Sequence, residues 1–471
     1  MMTVVQGKRT MSPTIVMVII VLIAALLTYL VPSGEFKREK VEQQDGKKVT
    51  LVVPDSYKTT QKEYSFSDVL VGTPSKEVVK PVSVIQTLHA VPKGIIEQAD
   101  LIFMVMFIGG MFGVLSKSGA IEAGLERSLS ITKGNVYLLV PSLMIIFSLG
   151  STFMGMAKEY LLVIPMVIAM TDRLGLSKVT GLAIVTLAVK VGYLASLTNP
   201  YALAVAQPLV GVPVFSGMSM RLVTYVAMMG MCIAYVLWHI RRENAGGQKL
   251  SHSFDSTPLS AQHLWLLIAL GVGVAFMVYG SQTWKWKAAE LSAYYLFLSV
   301  VFAAIAKMNP SDAADAFVAG MKKVLIAAVL IGLATAVAII LKEGQIMDTI
   351  IHYLVGFIGG NGAYISAYSM FVCQLLLDIA IPSTSGQAAV TMPILGPVGE
   401  IVGVTPQTTV FAFLMGNGLT NVITPTSSGL LIFLATAEVS WTRWAKYVWP
   451  LVVILFITAL ILLTIAVATG Y

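Results

Sequence analysis

The sequence predicts an all-α polytopic membrane protein made of inverted repeats, with about nine transmembrane helices plus two re-entrant hairpins. Three observations lead there: long apolar runs, motifs that recur at one offset, and the placement of Lys and Arg. Hydrophobic residues make up 56% of the 471 and charged residues 12%, with mean hydropathy +0.82, whereas a soluble domain carries about 25% charge. Ser12–Val31, Leu222–Trp238, Leu264–Val278 and Tyr447–Ala468 approach or exceed the ~20 helical residues that cross a hydrocarbon core.

The first run follows Lys8 and Arg9, as a secretory signal would. Its apolar core is longer than a signal core, and no small-x-small cleavage pattern follows it, so it reads as an uncleaved first helix. Cys232 and Cys373 sit inside apolar runs and suggest neither a disulfide framework nor a metal site. The five histidines have no ligand spacing.

Internal repetition sets the architecture. "GVLSKSGAI" (113–121) matches "AIILKEGQI" (338–346), which places Lys117 opposite Lys342, 225 residues on. The Gly-Asn pairs at 134–135 and 360–361 follow, then Pro165 opposite Pro393, then Asn199-Pro200 opposite Thr424-Pro425. The matches keep one order and nearly one offset, so the chain reads as two copies of a unit.

Orientation follows from the positive-inside rule. Helices are expected at about 12–31, 100–116, 178–211, 219–239, 262–282, 290–306, 324–341, 406–437 and 445–469, with hairpins at 135–172 and 349–400. An N-terminus inside then puts Lys117, Arg127, Lys133, Arg173, Lys178, Arg241, Arg242, Lys322 and Lys323 in cytoplasmic loops. The loops at 212–220 and 401–405, which fall outside, hold no Lys or Arg, and Lys285, Lys287 and Lys342 are the exceptions to the pattern. Helix 100–116 runs inward and its copy 324–341 runs outward, so the repeats are inverted. The divisions are a first repeat over 1–240 with an external segment at 33–99, a cytoplasmic linker at 241–261, a linking helix at 262–283 and a second repeat over 284–471. The C-terminus falls outside. For 33–99 a small hairpin or an ordered loop is expected, with no part in transport, and "VSVIQTLHAVPKGIIEQ" has helical spacing.

Inverted repeats are a plan of secondary transporters, whose substrate sits where helices are broken near the midplane. "SLTNPYALA" (196–204) and "NVITPTSSG" (421–429) are the expected breaks, because proline removes a backbone donor and freed carbonyls need partners that lipid lacks. The hairpin tips "LGSTFMGMAKE" (149–159) and "IPSTSGQAA" (381–389) share a Ser-Thr pair and then glycine. One tip plus one break per copy makes two half-sites. Substrate contacts are expected from Ser151, Thr152, Glu159, Lys190, Asn199, Asp378, Ser383, Thr384, Ser385, Asn417, Asn421, Thr424, Thr426 and Ser427. Sodium takes oxygen ligands, and Ser151, Thr152, Ser196, Thr198, Ser383, Thr384 and Thr424 are its candidate donors. No other cofactor is expected. A charge at membrane depth is costly and marks function by default. Lys190 has three readings: it binds a substrate carboxylate, it replaces a coupling cation, or it pairs with Asp378 or Glu159.

"GNGLTNVITPTSSG" (416–429) and "GMAKE" (155–159), with the paired tips and breaks, resemble the YfcC branch of the anaerobic C4-dicarboxylate carrier (DcuC-like) family of the ion transporter superfamily, over essentially the whole chain. The resemblance implies an elevator-type carrier of a bacterial cytoplasmic membrane, dimeric, with scaffold and transport domains. It also implies a small carboxylate-bearing solute: an amino acid, a basic one included, or alternatively a C4-dicarboxylate. Coupling is to sodium or protons, or the carrier exchanges solutes. The branch often has two acids after "GM", where this chain has Lys158 before Glu159. Other classes fit less well, since a channel lacks its carbonyl filter or charged ring and an enzyme lacks its nucleophile or metal constellation. No nucleic-acid partner is indicated.

Overall fold

In the computed structural model of the chain, the described residues are 13–42, 48–53, 56–57, 58–63, 69–70, 79–121, 123–124, 127, 135–157, 160–161, 163–245, 260–284, 286–356, 358 and 362–471. The chain opens with α1 (Pro13–Leu30) and the short strands β1 (Ser33–Glu35), β2 (Arg38–Glu42), β3 (Lys48–Val52) and β4 (Lys58–Thr60). Helices follow: α2 (Val84–Glu97), α3 (Ala99–Lys117), α4 (Val136–Met154), α5 (Ile164–Arg173), α6 (Lys178–Ala195), α7 (Pro200–Leu209), α8 (Met218–Ala245) and α9 (Ala261–Thr283). The rest are α10 (Ala288–Ile305), α11 (Pro310–Lys323), α12 (Leu325–Glu343), α13 (Met347–Gly356), α14 (Gly362–Ala380), α15 (Thr384–Ile401), α16 (Pro406–Ile423), α17 (Ser428–Thr436) and α18 (Trp441–Thr469). Among the described residues eight helices are long and apolar enough to cross a membrane, or nine if Pro310–Lys323 and Ala328–Glu343, bent by 40°, form one span.

Short polar side chains fix where these helices begin. Asn135 accepts from Tyr137 N ahead of α4, Ser177 from Thr180 N ahead of α6, and Thr405 from Thr408 N ahead of α16. Each satisfies one of the donors that a helix start leaves open, which stabilises a helix by about 1 kcal/mol. Glu243, near the end of α8, adds a carboxylate to the start of α6, where Ser177 N, Ser177 Oγ and Thr180 Oγ1 donate to it at 3.1, 2.9 and 2.8 Å. A negative group there also suits the helix dipole.

Element lengths recur along the chain. The pair α2 and α11 are 14 residues each, α3 and α12 are 19 each, and α4 and α14 are 19 each; within each pair the second starts 226 residues after the first (84 and 310, 99 and 325, 136 and 362). Packing recurs with the halves exchanged: α3 packs on α10 and α11, while α12 packs on α1 and α2. Likewise α6 packs on α4 and α8, α16 packs on α14 and α18, and α6 meets α16.

Close backbone approach holds the first of these groups together. A Cβ on Gly113 would lie 2.2 Å from Ala316 O, and one on Gly320 would lie 2.1 Å from Gly109 O. In the absence of a hydrophobic drive between helices in lipid, such small-residue contacts supply the packing. They place α3 against α11, a helix that the sequence analysis did not expect.

Several expectations differ in detail. The fold is not helical throughout, because β1 pairs with β4 and β2 with β3, both antiparallel, in the segment 33–60. That segment is not detached from the rest: Asp348 in α13 accepts from Phe36 N at 2.9 Å and from Arg38 Nη2 at 2.7 Å, and β3 packs on α15. The two long helices expected to be broken do break, at 196–199 and 424–427. Gly360 and Asn361, the second of the Gly-Asn pairs, lie outside the described residues.

Candidate functional site

A buried carboxylate organises the second break. Asp378, near the end of α14, is fully buried. Asn417 and Asn421 stand one turn apart on α16, so their side chains share a face. Asn417 Nδ2 donates to Asp378 Oδ1 at 2.6 Å, and Asn421 Nδ2 donates to its two oxygens at 3.1 and 3.0 Å. Hydrogen bonds of this kind are what make a buried charge tolerable.

The network extends in both directions. Asn417 Oδ1 accepts from Thr384 Oγ1 at 2.9 Å, and its Nδ2 also donates to Gln387 Oε1 at 2.8 Å. Gln387 Nε2 donates to Gln374 Oε1 at 2.6 Å, and Gln374 Nε2 to Thr391 Oγ1 at 2.9 Å. Residues 13 positions apart in one helix would be about 20 Å apart, so these bonds mean that α14 and α15 fold back on each other at 381–383. Toward the break, Asn421 Oδ1 accepts from Ser427 Oγ at 2.7 Å. Lys190 on α6 then donates from Nζ to Ser427 Oγ at 3.4 Å. Lys190 thus reaches Asp378 through Ser427 and Asn421, and it makes no ion pair within 4 Å with a carboxylate among the described residues.

The first tip is laced to its break in the same manner. Leu197 N donates to Thr152 Oγ1 at 3.1 Å, Thr198 N to Thr152 O at 3.1 Å, and Thr198 Oγ1 to Phe153 O at 2.9 Å. Ser151 Oγ donates to Val189 O at 2.7 Å. Ser196, a non-glycine residue at φ 47°, gives its hydroxyl to Tyr193 O and accepts from Asn199 Nδ2 at 3.4 Å. Asn199 caps α7 through Tyr201 N. It corresponds to Ser427, the cap of α17, because α6 and α16, and α7 and α17, start 228 residues apart (178 and 406, 200 and 428). The 225-residue alignment had set Asn199 opposite Thr424; two extra residues between α14 and α16, compared with α4 and α6, move the register.

The expected residues therefore separate into groups. Asp378, Thr384, Asn417, Asn421, Ser427 and Lys190 form one connected network. Thr424 and Thr426 bond each other at 2.8 Å and knit the turn. Ser383 caps α15 through Gly386 N, and it and Ser385 are exposed at the tip. Ser151, Thr152, Ser196, Thr198 and Asn199 belong to the first tip and break. Glu159 lies outside the described residues. Sequence reasoning missed Gln374, Gln387 and Thr391, although Gln374 and Asp378, and Gln387 and Thr391, are polar pairs at four-residue spacing in apolar helices. It also named no partner within the protein for the carbonyls freed at the breaks. Val422 O accepts from Trp444 Nε1 at 2.9 Å, Ile423 O from Trp441 Nε1 at 2.7 Å, and Leu197 O from Arg221 Nη2 at 3.1 Å.

A cavity of about 490 Å³ lies elsewhere, between α3 and α11 on one side and α5 and the end of α17 on the other. Its rim carries Lys178 bonded to Glu438 at 2.8 Å. Lys178 and Lys190 share α6 and stand about 18 Å apart along it, so the cavity does not contain the network.

The family described as C4-dicarboxylate anaerobic carrier (DcuC) matches residues 11–468. The chain belongs to this family. It is 27% identical over 98% of each chain to the Escherichia coli protein named "Putative basic amino acid antiporter YfcC". It is 24% identical, over 95% of each chain, to an uncharacterised protein of Haemophilus influenzae. The solved structure of the Alcanivorax borkumensis YdaH transporter aligns over 98% of this chain and 99% of that one, with a TM-score of 0.44 and 15% identity. The resemblance drawn from the 416–429 motif is thereby shown, and the chain is a multi-pass membrane protein of a transporter family.

Proposed function

We propose that the protein is a secondary active carrier of a small carboxylate-bearing solute, an amino acid first and a C4-dicarboxylate second. The observation that carries this is the ammonium of Lys190, half-buried at the start of α17, whose bond among the described residues is one of 3.4 Å to Ser427. An ammonium has three donors, and a helix start favours an anionic group. Gly429 keeps the approach open: a Cβ there would lie 3.3 Å from Lys190 Nζ. Lys190 is the one cationic member of the described network, so it matches one carboxylate, and Asp378 suits a positive group beside it. The relative's printed name supports an amino acid; the family's description supports the dicarboxylate.

The mechanism is alternating access of the elevator kind. Residues 1–240 and 284–471 act as inverted repeats joined by the linker 241–261 and the helix 262–283. Helices α1–α3 and α10–α12 form the scaffold, and α4–α7 with α14–α17 form the body that moves, its two hairpins re-entrant. The setting is a homodimer in a bacterial inner membrane, with the N-terminus cytoplasmic. Exchange of one solute for another fits a site whose fixed ammonium needs an anion to cross. Proteoliposomes containing labelled L-arginine, L-aspartate or succinate test the reading. Accumulation or counterflow of one probe, lowered about tenfold or more in Lys190→Met while the protein remains folded, supports it; equal transport by the variant overturns the role of Lys190.

A further inference from the structure

Two side chains close the breaks from the same position in each half. Arg221 is the fourth residue of α8 and Trp444 the fourth of α18, helices that begin at Met218 and Trp441 and pack on α6 and α16 respectively. They are the two largest fully buried side chains among the described residues, 1% and 0% exposed. Arg221 gives Nη2 to Leu197 O in the first break, and further bonds to Ser216 O at 2.6 Å and Phe215 O at 3.1 Å. Trp444 gives Nε1 to Val422 O in the last turn of α16, and Trp441 serves Ile423 O beside it.

A helix that stops within a membrane presents carbonyls at its negative end. With neighbouring hydroxyls, these are the ligands that an alkali cation takes. Here a fixed N–H donor meets a helix-end carbonyl in the second half, Val422 O, and a carbonyl inside the break in the first, Leu197 O. In the first half the donor is a guanidinium, charged at every working pH, and a second cation on the same carbonyl would face it in a medium that screens poorly. Within each half the donor comes from the helix that follows the break and packs on the helix before it.

We propose that Arg221 and Trp444 are paired plugs, positioning residues that supply to each break what a bound cation would supply, so that the carrier runs without an alkali cation. The inference rests on the carrier reading, and its first test does not require transport. The purified protein is melted as sodium chloride replaces choline chloride at constant ionic strength. A ligand of the native state raises the Tm by mass action. The wild type should show no sodium-specific rise, and a saturable one overturns the proposal. Trp444→Phe, which keeps most of the ring volume and removes the N–H, and Arg221→Met should each gain a sodium-specific rise; a folded variant as insensitive as the wild type overturns the assignment of that plug. Counterflow of L-arginine, L-aspartate and succinate should then be equal in sodium and choline, and stimulation of about tenfold by sodium overturns the proposal. If none of the probes exchanges, the carrier reading fails for them while the melting result still decides the plugs.

Discussion

Lys190 and Ser427 are 237 positions apart in sequence and 3.4 Å apart in space, and their contact links a helix of the first half to the cap of the second break. The first tip is bonded to its own break, Thr152 to Leu197, and the second to the helix that precedes its break, Thr384 to Asn417. The contact therefore lies where the two half-sites meet.

Removing the Lys190 charge should cost transport and leave folding intact. A charge-assisted hydrogen bond contributes about 1.5–3 kcal/mol, so Lys190→Met should lower kcat/KM by about 10- to 150-fold. Gel filtration in detergent and counterflow of the transported probe check both halves of this statement. Wild-type rates in a folded variant would remove Lys190 from the site.

Asp378→Ala should act on stability instead. It takes one acceptor from the Asn417 amide, which keeps Gln387 Oε1, and two from the half-buried Asn421 amide, which keeps Asn417 O, a loss of about 1–3 kcal/mol. A fall in apparent Tm of several degrees is expected, larger than for Lys190→Met. An unchanged Tm would mean that the amides find other acceptors.

Glycine substitutions should separate by the space around them. Gly320→Ala places a methyl group against Gly109 O, whereas nothing lies within 4 Å of a Cβ on Gly230 in α8. Gly320→Ala should lower yield and Tm. Gly230→Ala should be neutral or stabilising by about 0.5–1 kcal/mol, as alanine is in a helix interior. Melting of the two variants side by side decides it.

Lys62 supplies a pH prediction outside the membrane-spanning helices. Burial lowers its pKa to about 8 from 10.5, and its Nζ donates to Thr28 O and Val31 O at the end of α1. Between those two pH values the unfolded chain binds more protons than the folded one, so stability from this group rises with pH from about 8 toward 10.5. Tm measured across that range should rise more in the wild type than in Lys62→Met. Equal slopes would show that Lys62 is not the source.

The clusters that carry the site were legible to different degrees. Asp378, Asn417, Asn421 and Ser427 could be found because polar residues in apolar runs are costly in lipid, and both breaks lie within the stretches read as breaks, 196–204 and 421–429. Gln374, Gln387 and Thr391 passed unnoticed, since single uncharged polar residues between apolar neighbours also serve as ordinary interhelical contacts. Arg221 and Trp444 gave no local signal: each begins a helix in a loop-like context, and only packing on α6 and α16 turns it toward a broken helix.

By itself the sequence determined that the chain is helical and membrane-spanning, that motifs recur along it, and where its long helices break. Those properties follow from nearest neighbours in the chain: apolar length, proline and glycine position, and capping side chains. Tertiary structure decided which residues complete the site, because the bonds of Lys190 with Ser427, Asn417 with Asp378, and Trp444 with Val422 join positions 237, 39 and 22 residues apart. Side chains on separate helices meet only after the helices have packed, and no periodicity within one helix encodes that meeting. The register of the second break, shifted from the 225-residue alignment to 228, was settled by the same packing.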